Sequence, residues 1–182
     1  LFSATKAIQK EFNHYLNKAV SVVISGSAGE GIQLAASILS KASMSCGLEV
    51  TQKGSYPVTV GVGFSTAEVN LSPEPVYFHG IDIPDIAIIT SQDGLGHSRK
   101  RIEQMKGGLL LIDQSLETPV TGAEIFRHDF RNIGARTAAL YAIFHYVLKS
   151  GIMSVETLFK TIDAEGMTEK LPVERIKEML AG

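Results

Sequence analysis

Between Val20 and Ile32 the chain passes from an apolar, β-branched run into a segment carrying Gly26, Gly29 and Gly31, and then into a stretch rich in alanine and isoleucine. Such a pattern predicts a buried strand, a tight turn and a helix. With few side chains in the way, backbone N–H groups at the turn can approach a phosphate or carboxylate, and the positive end of the following helix favours that charge. Gly26, Ser27, Ala28, Gly29, Glu30 and Gly31 are therefore the first candidate ligand contacts. The same pattern also arises wherever a strand-to-helix turn only has to be tight.

The rest of the chain alternates helical and strand patterns. A helix capped by Ser3 would place Ile8, Phe12, Tyr15 and Leu16 on one face, giving residues 1–19 as a helical extension before a single domain over 20–182. Gly31 to Cys46 predicts a helix with Ile32, Ala35, Ala36, Leu39 and Ala42 inward and Gly47 as its cap. Leu48–Gln52, Phe64–Leu71, Ile86–Thr90 and Leu109–Asp113 predict strands, the second of them antiparallel and the last two buried and parallel. Helices are expected at Ser98–Lys106, Ala135–Lys149, Ser154–Glu165 and Pro172–Leu180. The order implies an α/β fold: a three-layer α/β/α sandwich around a mostly parallel, mixed sheet, with a Rossmann-like glycine loop after the first strand.

Composition narrows the chemistry. A length of 182 residues suits one substantial core, and a net charge of -2 gives no electrostatic footprint for nucleic acid or an anionic membrane. No apolar run is long enough to span a membrane and Leu1 to Val20 lacks a signal-peptide core, so a soluble, cytoplasmic chain is expected. The single cysteine, Cys46, provides neither an intrachain disulfide nor the ligands of an iron–sulfur cluster. His14, His79, His97, His128 and His145 show no metal-ligand spacing, so no metal is expected.

Two nucleotide motifs are incomplete. The Gly-x-Gly-x-x-Gly register falls on Gly26, Ala28 and Gly31, and where a ribose-binding carboxylate belongs the chain has Thr51, Gln52 and Lys53. The Gly-Lys-Ser/Thr ending of a P-loop is also missing. Ser98 to Arg101 reads as a solvated basic helix face, with a coenzyme phosphate as the other reading, and Asp82 and Asp85 read as turn residues around Pro84.

Taken in order, several segments resemble the gamma subunit, or equivalent domain, of 2-oxoacid:ferredoxin (acceptor) oxidoreductases, which act on pyruvate, 2-oxoglutarate or ketoisovalerate. They are Ile24 to Ala36, Ser55 to Pro57, Ala67 to Ser72 with Glu74 to Val76, Pro84 to Ile89, Gly107 to Ser115, and Gly151 to Ser154. The resemblance implies a subunit of an enzyme that converts a 2-oxoacid to acyl-CoA and CO2 and passes electrons to ferredoxin. Thiamine diphosphate and iron–sulfur clusters would then lie in partner subunits: alpha, beta and a delta or ferredoxin-like chain. This chain alone would hold no cofactor and be inactive, contributing assembly and a share of coenzyme A binding. Ser55 and Tyr56 join the glycine loop as candidate contacts. A stand-alone nucleotide- or coenzyme-binding protein of the same fold is the alternative.

The chain departs from that family's pattern at several places. Gly61 stands where an arginine is expected, and an arginine there would grip phosphate or carboxylate through paired hydrogen bonds. Either another group such as Lys53 supplies the charge or the ligand differs. Arg136 takes the place of a common asparagine, while Ala28 and Glu30 replace the commoner glycine and glutamine. Glu30 thereby brings a negative charge to the expected anion site.

Overall fold

The computed structural model describes residues 10–57, 59, 61–76 and 80–182. Ser3, Ile8 and His79 lie outside them. The elements, in chain order, are β1 (Val20–Ser27), α1 (Ile32–Ser45), β2 (Glu49–Ser55), β3 (Phe64–Ser72), β4 (Ile86–Ile89), α2 (Gln92–Glu103), β5 (Leu109–Asp113), β6 (Glu124–His128), a 3-10 turn (Phe130–Ile133), α3 (Ala138–Ser150), α4 (Val155–Ala164) and α5 (Val173–Ala181).

The described strands form one six-stranded sheet in the order β2-β3-β1-β4-β5-β6. β1, β4, β5 and β6 are parallel neighbours, and β3 runs antiparallel to both β1 and β2. The expected mixed α/β sheet and the antiparallel excursion at Phe64–Leu71 are both present. Alternation along the strands sends side chains to two cores. Val22, Ile24, Ile88, Leu109 and Leu111 meet α1, α3, α4 and α5 on one face, while Ala87, Ile89, Leu110 and Ile112 meet Leu95 and Ile102 of α2 on the other.

α1 lies close on the sheet because its inward positions include Ala35, Ala36 and Ala42, all fully buried. It ends in a Schellman motif: the Gly47 N–H donates to the Met44 carbonyl and the Leu48 N–H to the Ser43 carbonyl, with Gly47 at φ 87°. α2 approaches β1 more closely still. A Cβ on Gly94 would lie 2.4 Å from the Ser25 carbonyl group, so only glycine fits there.

Two expectations are corrected, and one strand is added. Residues 10–19 are not helical, because their amides serve other elements: those of Glu11 and Phe12 donate to the Ser45 carbonyl and that of Tyr15 to Ile152. α2 occupies Gln92–Glu103 rather than Ser98–Lys106, starting at Ser91, whose side chain accepts from the Gly94 amide. β6 was not anticipated: it is an edge strand with Glu124, Ile125 and Arg127 exposed, so it lacks an apolar run.

Candidate functional site

α1 follows β1 onto one face and α2 follows β4 onto the other, so the carboxyl ends of these adjacent parallel strands form a topological switch point. In open α/β sheets this switch point is where ligands bind. Here it is bordered by the segment from Gly26 to Gly31 and by Thr90 and Ser91.

The glycine loop turns on two left-handed residues, Gly29 at φ 81° and Gly31 at φ 74°. Gly31 is also the cap residue of α1 and provides no side chain to accept from the first-turn amides. A Cβ there would sit 2.3 Å from the Arg136 carbonyl, whereas a Cβ on Gly29 would meet nothing within 4 Å. The Ala28 amide donates to the Gly63 carbonyl at 2.8 Å, tying the loop to the segment that leads into β3.

Ala28, Gly29 and Gly31 line a groove of about 380 Å³ together with Ile32, Tyr56, Gly61 and Ser65. Tyr56 is 63% exposed at its rim, as is Val62 beside it. Among the described residues, no lysine or arginine lines the groove. Lys53 lies on β2 opposite Glu68 and outside it, so it does not replace the expected arginine at Gly61. The groove is lined mainly by apolar atoms and backbone.

The remaining predicted residues lie elsewhere. Gly26 is inside β1, where a Cβ would strike Ile32 and Thr90 at 2.5 Å. Ser55 ends β2 opposite Thr66. The Ser27 hydroxyl faces α2, bonding to Ser91 at 2.7 Å and to Asp93 at 2.9 Å. Glu30 accepts two parallel hydrogen bonds from the Arg131 guanidinium, at 2.7 and 3.0 Å, so its charge is neutralised rather than set against the loop. Those bonds, ahead of the opposing desolvation, hold the Arg131 pKa above its ordinary value.

Arg131 is the residue that sequence reasoning missed. Its amide donates to Asp113 at the end of β5, and its guanidinium also donates to the Thr90 carbonyl. Asp113 is buried and accepts as well from the Ser115 amide and hydroxyl. The available signal was position: Asp113 and Ser115 follow directly from a parallel strand. In the basic run of α2, Lys100 is exposed as a solvated face requires, whereas Arg101 is pinned to Glu68 at 2.7 Å and to the Ile81 carbonyl. His97 stacks on Phe64 with ring centroids 3.7 Å apart, and burial followed by the charge of Arg101 lowers its pKa. Asp85 holds the Ser21 amide and hydroxyl, consistent with a turn role.

Comparison with known proteins assigns this architecture. The sequence profile of the family "Pyruvate ferredoxin/flavodoxin oxidoreductase" matches residues 21–180. The chain belongs to this family. It is 29% identical to the 2-oxoglutarate synthase subunit KorC of Methanocaldococcus jannaschii over 150 residues, covering 76% of this chain and 79% of that protein. Its fold is similar to a keto/oxoacid ferredoxin oxidoreductase gamma subunit from Geobacter sulfurreducens, with TM-score 0.66, 24% identity and coverage of 79% and 83% of the two chains. Pyruvate oxidoreductase subunit PORC of Thermotoga maritima matches at TM-score 0.66 and 20% identity, over 82% and 86% of the chains. A 2-oxoglutarate:ferredoxin oxidoreductase from Magnetococcus marinus, solved with 2-oxoglutarate, coenzyme A and succinyl-CoA bound, matches at TM-score 0.71 and 19% identity. There 82% of this chain corresponds to 27% of a longer one.

Proposed function

We propose that this chain is the gamma-type subunit of a 2-oxoacid:ferredoxin oxidoreductase, working with thiamine-binding alpha and beta subunits and a cluster-bearing delta or ferredoxin-like partner. The assembly joins a 2-oxoacid and coenzyme A to give acyl-CoA and CO2, and two electrons leave to ferredoxin. The observation that carries the reading is the family match across residues 21–180. Thiamine diphosphate, when bound by the partners, supplies the carbanion chemistry, and the present chain contributes position and surface. Its groove at Ala28, Gly29, Tyr56 and Gly61 suits the uncharged arm of coenzyme A: apolar walls pack along an extended chain, and the glycine loop allows close backbone approach. Exposed Tyr56 and Val62 on the rim suit contact with a partner subunit.

The test is co-expression with the thiamine-binding subunits, followed by an assay of 2-oxoacid- and coenzyme A-dependent ferredoxin reduction. We expect the chain to co-purify in a fixed ratio and to be required for activity, while the isolated chain binds no thiamine diphosphate and oxidises no 2-oxoacid. A chain that stays apart from those subunits yet binds a coenzyme by itself would overturn this reading in favour of a stand-alone binding protein.

A further inference from the structure

Glu30 and Arg131 are 101 positions apart in the sequence, yet they form a bidentate pair where α1 begins. Both are partly accessible, with 31% of the arginine side chain and 20% of the glutamate side chain exposed. Their attachments differ. Arg131 is fixed from two directions, its amide on Asp113 and its guanidinium on the Thr90 carbonyl. Glu30 stands between two left-handed glycines, and the space beside Gly29 is empty to 4 Å. The Glu30 amide donates to the Ser27 carbonyl, but among the described residues its side chain bonds only to Arg131, so the arginine is the anchored member and the glutamate side chain the one that can turn away.

A second feature lies beside the pair. Thr90 is 1% exposed and its hydroxyl has no hydrogen-bond partner among the described residues, although the carbonyl of the same residue holds Arg131. This hydroxyl lies over Gly26 and next to Ile32, the first residue of α1: a Cβ on Gly26 would be 2.5 Å from both. A buried hydroxyl with no acceptor is costly to retain in a protein interior. Close by, the Arg136 carbonyl packs on Gly31, and the exposed Arg136 guanidinium has no polar partner among the described residues. Beside the paired Arg131, the Thr90 hydroxyl and the Arg136 guanidinium are thus two donors that Glu30 does not serve.

We propose that Arg131 is an oxyanion-binding residue and that Glu30 is its internal stand-in, a carboxylate that occupies the arginine until a phosphate or carboxylate group of a ligand displaces it. The bidentate geometry that Glu30 presents is the geometry either group would use. Displacement turns the Glu30 side chain outward beside the open space at Gly29, exposes the first-turn amides of α1 to the incoming charge, and offers the Thr90 hydroxyl an acceptor. The internal carboxylate lowers apparent affinity by competition, since ligand binds only the fraction of molecules in which Arg131 is released.

The experiment uses the full chain and two probes, inorganic pyrophosphate and succinate, which distinguish a phosphate from a carboxylate source. Titration calorimetry at low salt should show Glu30→Gln binding one probe at least about tenfold more tightly than the natural chain, because the neutral amide no longer competes. The double variant Glu30→Gln with Arg131→Gln should lose that gain. In the natural chain, the NMR signal of the Arg131 Nε–H should move as the tighter-binding probe is added, a readout that needs no variant to fold. Equal affinity of Glu30→Gln and the natural chain for both probes, a gain that survives loss of Arg131, or an unmoved Arg131 signal would each overturn the proposal. These measurements need no partner, so their failure is distinct from failure of the subunit assignment, which co-purification reads.

Discussion

The two sides of the glycine loop are chemically unlike. Toward β2 and β3 it presents Ala28, Gly29 and Gly31 to an apolar groove shared with Tyr56 and Gly61. Toward β4 and β5 its side chains are already engaged, Ser27 with Ser91 and Asp93 and Glu30 with Arg131. Gly29 and Gly31 show the same contrast in miniature. Both are left-handed, but Gly31 is pressed against the Arg136 carbonyl and Gly29 faces open space. One glycine holds the turn against the rest of the protein, and the other keeps a surface bare for something that arrives.

The largest expected effect tests that division directly. Gly31→Ala combines an unfavourable φ with a Cβ 2.3 Å from a backbone oxygen and should destabilise the chain by about 3 kcal/mol or more in denaturant unfolding. Gly29→Ala carries the φ penalty alone, about 1 kcal/mol. Equal costs at the two positions would break the comparison.

Next comes the charged side. Arg131→Ala should cost on the order of 1–2 kcal/mol, because Glu30 and the Thr90 carbonyl lose their donor. Adding Glu30→Gln to it should recover part of that loss, and an additive double variant would show that the pair is not coupled.

The histidine cluster behind Arg131, packed on Phe130, has an acid sensitivity of its own. Burial, and then the neighbouring His128, lower the pKa of His145 to about 4; its ring centroid lies 4.4 Å from that of His128, and its Nε2 is buried without a partner. The unfolded chain takes up a proton near pH 6.5 while the folded ring resists it, so stability should be full above about pH 6.5 and fall as pH drops toward 4. Asp113, Asp129, Tyr141 and Lys149 also adjoin this cluster. Because the ring is only partly removed from water, the loss should be on the order of 1 kcal/mol, or about 2–4 °C in Tm. His145→Phe should flatten that slope; an unchanged slope would assign the acid sensitivity elsewhere.

The smallest effect on stability belongs to the groove. Tyr56 is mostly exposed, and Tyr56→Ala should change stability by less than about 0.5 kcal/mol. The same substitution should weaken co-purification with the partner subunits if the rim is an interface. Full retention on the complex would leave the groove to small ligands alone.

The legible parts of this fold were those whose signal is local. β1, β3, β5 and α1 appear as apolar or alternating runs bounded by glycine, and their observed limits lie close to the expected ones. The polarity of Ser98–Lys106 places α2 too late in the chain, whereas the helix starts at the Ser91 cap and its Gly94 is demanded by the Ser25 backbone on a different element. At the candidate site the loop was legible and its electrostatics were not. Glu30 read as an unmatched charge because its partner lies in the 3-10 turn after β6, and that strand carries no strong pattern of its own. Tyr56 and Gly61 reach the same groove as Gly29 through the pairing of β1 with β3, a consequence of sheet order that no short window contains.

The place of β1 in the sheet bears on how the molecule forms. Its hydrogen-bonding neighbours are β3 and β4, neither of which follows it directly in the chain. On the ribosome the apolar strand emerges long before either neighbour has been made, and Arg131 comes later still. Loop closure over such distances makes assembly slow, and the unpaired strand is prone to associate with other chains while it waits. Refolding from denaturant should therefore show early helical signal and late protection of β1, with the glycine loop among the last segments to acquire its native surroundings.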